Sequence, residues 1–318
     1  MTHIISTVPP SFTALGHREN LFFPASGTLI IPMTNDYLFR ALLQKNNNVL
    51  KGLICSLLHL APEEVDSVEI TNPIELGTSV TDKTFILDIK LNLNDSTVIN
   101  LELQVINQHN WIDRSLSYLC RTYDGLQAGE KYSAARPVIQ IGLLNFCLFP
   151  EHPEFYATYQ LLNVKNHTLY SDKLRLSVLD LTCIDLATEE DRFHQLDCWA
   201  RFFKATTWEE LNMLAHDNEI FKDAAATVHQ LTKEERIRME CEAREDFYRT
   251  QRGLQDMLDE RATKIDTLTA ENESLTSENE TLASENKTLA SENETLAAKL
   301  VKLETWAMEN GYHTVEIL

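Results

Sequence analysis

Basic residues are scarce in this chain. Over 318 residues, 28 Lys and Arg stand against 48 Asp and Glu, a formal net charge of -20. From Glu260 onward there are 12 acids and 5 bases, so the remainder still carries -13. Proteins hold nucleic acid nonspecifically by neutralising phosphates with Lys and Arg. Any such contact here therefore needs a local basic patch or a bound cation, because the overall field opposes it. No C-x-x-C spacing occurs among the six cysteines at 55, 120, 147, 183, 198 and 241, which points to reduced, mostly buried thiols in a cytoplasmic protein. No apolar run approaches the length of a membrane span. The N-terminus lacks a charged start followed by an apolar stretch, so no secretory signal and no membrane partner are expected. No H-E-x-x-H cluster occurs among the ten histidines, which argues against zinc hydrolysis. The absence of G-x-x-x-x-G-K-[ST] and G-x-S-x-G argues against a P-loop NTPase and an α/β-hydrolase.

What is present is a pair of strand-like runs, Thr84 to Leu91 and Val98 to Val105. Each carries an unbroken apolar face at period two, Phe85, Leu87, Ile89 and Leu91 in the first and Ile99, Leu101, Leu103 and Val105 in the second. Asn94-Asp95-Ser96 between them is turn chemistry. A three-residue loop pairs Leu93 with Thr97 and sets Asp88 opposite Glu102, with Gln104 two residues on, on the Glu102 face. Facing carboxylates repel unless something positive lies between them. A divalent metal held by oxygen ligands suits phosphate chemistry. A basic side chain in the gap would instead make a plain salt bridge, and the same acids could be the solvated face of an amphipathic hairpin.

The organisation around the hairpin reads as an arm over residues 1–31, a globular domain over 32–240, a coiled-coil helix over 241–305 and a tail over 306–318. Helices are expected from Asp36, which sits where an N-cap or first-turn acid belongs, and over Val49 to Leu60. A short strand ends near Ile70. Trp111 to Glu130 reads as a helix with Ile112, Leu116, Leu119, Tyr123 and Leu126 inward and Gly129 near its stop. Val138 to Phe149 reads as a strand covered on both faces. Hairpin, crossover helix and buried strand make a βαβ unit with an antiparallel edge. Further strands are expected at Phe155 to Leu162 and Leu174 to Leu186, with helices from Glu189.

Near the C-terminus, Leu268, Leu275, Leu282, Leu289, Leu296 and Leu303 recur every seven residues. With these at d, Asn272, Asn279, Asn286 and Asn293 fall at a, and Glu271, Glu278, Glu285 and Glu292 at g. Leu254, Leu258 and Ile265 extend the seam upstream. This heptad pattern predicts a parallel homodimer, weakened by its buried asparagines and by glutamates without basic partners, and anchored by Leu258, Ile265, Leu300 and Leu303. The competing expectation is a single frayed helix. No strongly basic region precedes the heptads, as a DNA-reading zipper would need.

Taken together, Asn35-Asp36-x-x-Phe39, Lys83-x-x-x-Leu87-Asp88-Ile89, Ile99-Asn100-Leu101-Glu102-Leu103-Gln104 and Arg114-Ser115-x-x-Tyr118 resemble the PD-(D/E)XK nuclease family transposases, also called recombination-promoting nucleases. Leu126 to Tyr132 followed by Pro137-Val138-Ile139 is similar to that family too. The resemblance covers roughly residues 32–240. It implies an α/β restriction-endonuclease-like core, a mixed sheet flanked by helices, and metal-dependent cleavage of DNA phosphodiesters with Mg²⁺ or Mn²⁺. By position it makes Asp88 the central metal-binding aspartate, Glu102 the second acid and Asp36 the acid of the first helix, which would complete the metal's shell. Gln104 stands where the wider superfamily has Lys.

A neutral amide is no strong base, so Gln104 is expected to hydrogen-bond the attacking water or a phosphate oxygen. Lys90, on the Asp88 face, could supply the missing charge. Arg114, Tyr118 and Arg121 share a helix face at i, i+4 and i+7, which is either a phosphate-contacting strip, or an ordinary solvated face or salt bridges to the many acids nearby. Glu75 and Asp82 are spare acids in nearby loops. The leading expectation is a dimeric DNA endonuclease of the recombination type. The runner-up is a degenerate nuclease fold that binds nucleic acid or protein. In a third reading the coiled coil is the working part.

Overall fold

In the computed structural model, residues 23–74, 88–126 and 128–311 are described. The chain divides into two compact units, one running to Arg252 and the other from Gly253. The first unit contains, in order, α1 (Asp36–Lys45), α2 (Asn47–Leu58), β1 (Val68–Ile70), β2 (Ile89–Leu93), β3 (Thr97–Gln104), α3 (Trp111–Tyr123) and β4 (Val138–Leu144). There follow β5 (Tyr156–Leu162), β6 (Leu169–Asp180), α4 (Glu189–Phe193), α5 (Leu196–Lys204), α6 (Trp208–Ala215), α7 (Glu219–Lys233) and the start of α8 (Glu235–Glu309). Short polar caps set the helix starts. Asn35 Oδ1 accepts from Leu38 N, and Asn46 Oδ1 accepts from Asn48 N and Val49 N.

The six strands form one sheet in the order β1-β2-β3-β4-β6-β5. The pairs β3–β4 and β4–β6 are parallel, while β1–β2, β2–β3 and β5–β6 are antiparallel. This is the mixed, helix-flanked sheet expected of a restriction-endonuclease-like fold. One face carries Ile89, Leu91 and Leu93 from β2, Ile99, Leu101 and Leu103 from β3, and Ile139, Ile141 and Leu143 from β4. These join the main core with residues of α1, α2, α5 and α7. Every residue of β4 is buried, as expected of a mostly apolar run, though the strand ends at Leu144, short of Phe149.

On the opposite face α3 packs over the parallel strands through two small apolar clusters. One holds Val98, Leu119 and Val138, the other Trp111, Leu144 and Val178. The second contact depends on Gly142, since a β-carbon there would lie 2.1 Å from Trp111 Cζ2. That contact sets the rotation of α3 and corrects the helix expected from sequence. Trp111, Ser115 and Leu119 face inward, whereas Ile112 and Leu116 are each 48% exposed. The helix also stops at Tyr123, short of Glu130.

The other long strand ends earlier than expected. Asp180 Oδ1 accepts from Thr182 N at 2.7 Å and Thr182 Oγ1 at 2.6 Å, closing a turn that leads into a 3-10 segment at Ile184–Leu186. Ahead of α1, Leu29 N donates to Thr206 O and Thr28 bridges Thr207, so the described part of the lead-in is anchored rather than loose.

In the second unit α8 continues without interruption to Glu309. The heptad leucines from Leu268 to Leu303 all lie exposed on the single chain. Among the described residues, no helix is long and apolar enough to cross a membrane.

Candidate active site

The β2–β3 turn fixes the register. Asn94 and Asp95 take positive φ values of 47° and 51°, and Ser96 N donates to Leu93 O at 3.1 Å. Asn and Asp tolerate that backbone better than other side chains. Leu93 pairs with Thr97 and Ile89 with Leu101, so the next step sets Asp88 opposite Glu102. Asp88 stands just outside β2, and its carbonyl accepts from Arg40 Nη1 and, at 2.9 Å, from Asn72 Nδ2. Asn72 Oδ1 accepts from Lys90 N at 2.8 Å. Asn72 thus continues the strand edge while holding Asp88 in line.

Glu102 pairs in the parallel ladder with Gly142, the residue under Trp111. Arg114, three residues after Trp111, therefore comes down beside Glu102. Its Nη2 lies 2.6 Å from Glu102 Oε1 and 3.6 Å from Asp88 Oδ1. The guanidinium carbon sits 5.2 Å from the centre of the Tyr118 ring. A basic side chain thus lies between the two carboxylates.

Arg114 does not satisfy the group. Among the described residues, Glu102 Oε2 and Gln104 Oε1 are buried without a hydrogen-bond partner, and so is Arg114 Nε. Among them Gln104 makes one hydrogen bond, from Nε2 to Ile106 O at 3.3 Å, which leaves its carbonyl oxygen free to accept. Burial, and then the neighbouring Asp88 charge, push the Glu102 carboxyl up from 4.5 to about 8, with Arg114 opposing. Burial likewise raises Asp88, against the pull of Arg114 and Arg40. Unmet acceptors beside reluctantly ionised carboxylates describe a place short of positive charge. Asp88, Glu102 and Gln104 supply only oxygen donors, the set preferred by Mg²⁺ or Mn²⁺. The residues present therefore fit a hard divalent ion.

The remaining candidates are distributed around this point. Asp36 is buried and held by Arg244, with Nε donating to Oδ1 at 2.9 Å and Nη2 to Oδ2. Both of its oxygens are engaged, yet its charge still raises Asp88 and Glu102. Lys90 and Arg121 are exposed, and Tyr118 is half-buried. Glu75 and Asp82 lie outside the described residues.

Sequence reasoning missed Arg40 and Asn72. The signal for Arg40 was a lone cation between Leu38-Phe39 and Ala41-Leu42-Leu43, with apolar neighbours all round. It is fully buried, and its Nη2 donates to Asn72 O. Asn72 stands before Pro73, where the sequence signals only the end of a strand.

The model of the PD-(D/E)XK nuclease family transposases matches residues 33–257, more than half of the chain. No curated protein and no solved structure matches it.

Proposed function

Because the chain belongs to the PD-(D/E)XK nuclease family transposases and its function is of that nuclease or transposase type, we propose that it is a metal-dependent DNA endonuclease of the recombination-promoting type. Asp88, Glu102 and Gln104 would hold Mg²⁺ or Mn²⁺, and a bound ion supplies a polarised water and charge neutralisation at the scissile phosphate. The observation that carries this reading is the pair of buried oxygens on Glu102 and Gln104 that have no partner among the described residues.

The protein's own residues take distinct parts. Gln104 is a neutral amide, so it orients the water or a phosphate oxygen and does not take the proton. Asp36, fixed by Arg244, adds negative charge behind the ligands without giving up an oxygen. Arg114 turns from the carboxylates to the phosphate, a planar fork suited to two oxygens at once. Tyr118, Arg121 and Lys90 extend that basic face along the DNA. Pairing of α8 through its heptad leucines makes a homodimer with two sites, as cutting both strands requires. A cytoplasmic location fits the six free thiols.

A second reading, a degenerate nuclease fold that only binds, is favoured by one observation, the Arg114 bridge. Plasmid nicking with Mg²⁺ or Mn²⁺ separates the two. The endonuclease reading expects nicking by the wild type and at least a hundredfold less, on the order of one charge-stabilising group, by Asp88→Ala. Equal rates in both proteins, or DNA binding with no cleavage, would reject it.

A further inference from the structure

Two groups of potential metal ligands stand apart from the acidic site among the described residues. In one, His59 and His194 stack at 4.3 Å with their planes 2° apart, and Glu190 lies beside them. Imidazole lone pairs lie in the ring plane, so two stacked rings cannot both aim at one ion.

The other group is Cys147, Asp180 and Cys183, whose ligand atoms all lie within 4.8 Å of one another. Topology brings them together. β4 and β6 are parallel neighbours, and their last residues, Leu144 and Asp180, pair. Three residues beyond each partner stands a cysteine, so the two thiols leave the carboxyl ends of adjacent strands in step. That edge of an open α/β sheet is where ligands commonly sit.

We propose that Cys147, Asp180 and Cys183 form a second metal site, one that takes a soft divalent ion of the zinc class. Tetrahedral zinc with bonds of about 2.3 Å to sulfur and about 2.1 Å to oxygen has a sulfur-to-oxygen edge of roughly 3.6 Å. Cys183 Sγ lies 3.4 Å from Asp180 Oδ2, where the thiol proton now bridges the two. An ion there replaces that proton. Each thiol releases one proton on binding, and the fourth position is left to water.

Asp180 is prepared for this, since Thr182 holds its Oδ1 and leaves Oδ2 directed at the sulfur. The ladder runs from Gln104 through Leu144 to Asp180, so two strand spacings, about 10 Å, separate this site from the acidic one. The donor sets differ as well. Thiolates select soft ions, whereas the oxygens of Asp88, Glu102 and Gln104 select hard ones. A metal here ties the loop after β4 to the turn after β6.

The test is a Co²⁺ titration of the full chain, stripped with chelator and kept reduced. A thiolate-to-cobalt charge-transfer band in the near ultraviolet, with the red absorption of tetrahedral cobalt, is expected, and Zn²⁺ should bleach both. Cys147→Ser and Cys183→Ser should each lower the band per cobalt bound, and the double variant should lose it. If the double variant fails to fold, the single variants and Asp180→Asn carry the test.

Glu102→Gln should retain the band, which keeps this site's fate separate from that of the acidic one. Cobalt bound without a thiolate band, or a band unchanged in both cysteine variants, overturns the proposal. So does a Cys147–Cys183 disulfide in protein isolated without reductant, followed by no cobalt band once it is reduced.

Discussion

Raising the pH from about 6 to about 8 should tighten Mn²⁺ binding about fiftyfold, because a proton and the metal compete for Glu102. Burial and the adjacent Asp88 push that carboxyl up to about 8, while the ion needs it deprotonated. Below that point each pH unit costs tenfold in affinity, about 1.4 kcal/mol. Isothermal titration in two buffers of different protonation enthalpy gives the number of protons released. Close to one per metal is expected near pH 6 and almost none above pH 9. Glu102→Gln should bind more weakly and lose the slope. Wild-type affinity that stays flat across this window, with no proton released, refutes the reasoning.

The same shift sets a stability trend in the absence of metal. A carboxyl raised by folding contributes stability that is complete below its ordinary value of 4.5 and lost as pH rises through about 8. The wild type should therefore lose about 1.4 kcal/mol per pH unit through that window relative to Glu102→Gln, as read from urea unfolding.

Three other outcomes follow from the packing. Gly142→Ala drives a methyl into the Trp111 ring and should cost about 1–3 kcal/mol in denaturant unfolding. It should weaken Mn²⁺ binding too, because Gly142 pairs with Glu102 in the ladder. Arg40→Met removes the donor to the Asp88 and Asn72 carbonyls and should cost about 3 kcal/mol in the same assay, since buried acceptors lose a charged partner. A chain ending at Arg252 should scatter light as a monomer where the full chain scatters as a dimer. An unchanged mass per particle would remove the heptad seam as the cause of pairing.

Local signals explain which parts were legible in the sequence. The hairpin followed from period-two apolar faces and Asn94-Asp95, and its register was correct from Leu93–Thr97 to Ile89–Leu101. β4 followed from a mostly apolar run, and the helical tail from its heptads. What failed depended on distant partners. The buried face of α3 was decided by Gly142, some thirty residues away.

The ties of Asp36 to Arg244 cross 208 positions, and those of Arg40 to Asp88 cross 48. Periodicity cannot register such contacts. The sequence leaves Arg114 open between a phosphate contact and a salt bridge to nearby acids; the rotation of α3 sets it between Asp88 and Glu102.

That position makes the decisive measurement a crystallographic one. Crystals of the full chain soaked in Mn²⁺ should show an anomalous peak bounded by Asp88, Glu102 and Gln104, with the Arg114 guanidinium moved off Glu102. Density with Arg114 still bridging both carboxylates and no peak between them, at a concentration that saturates binding in solution, would contradict a metal-dependent site.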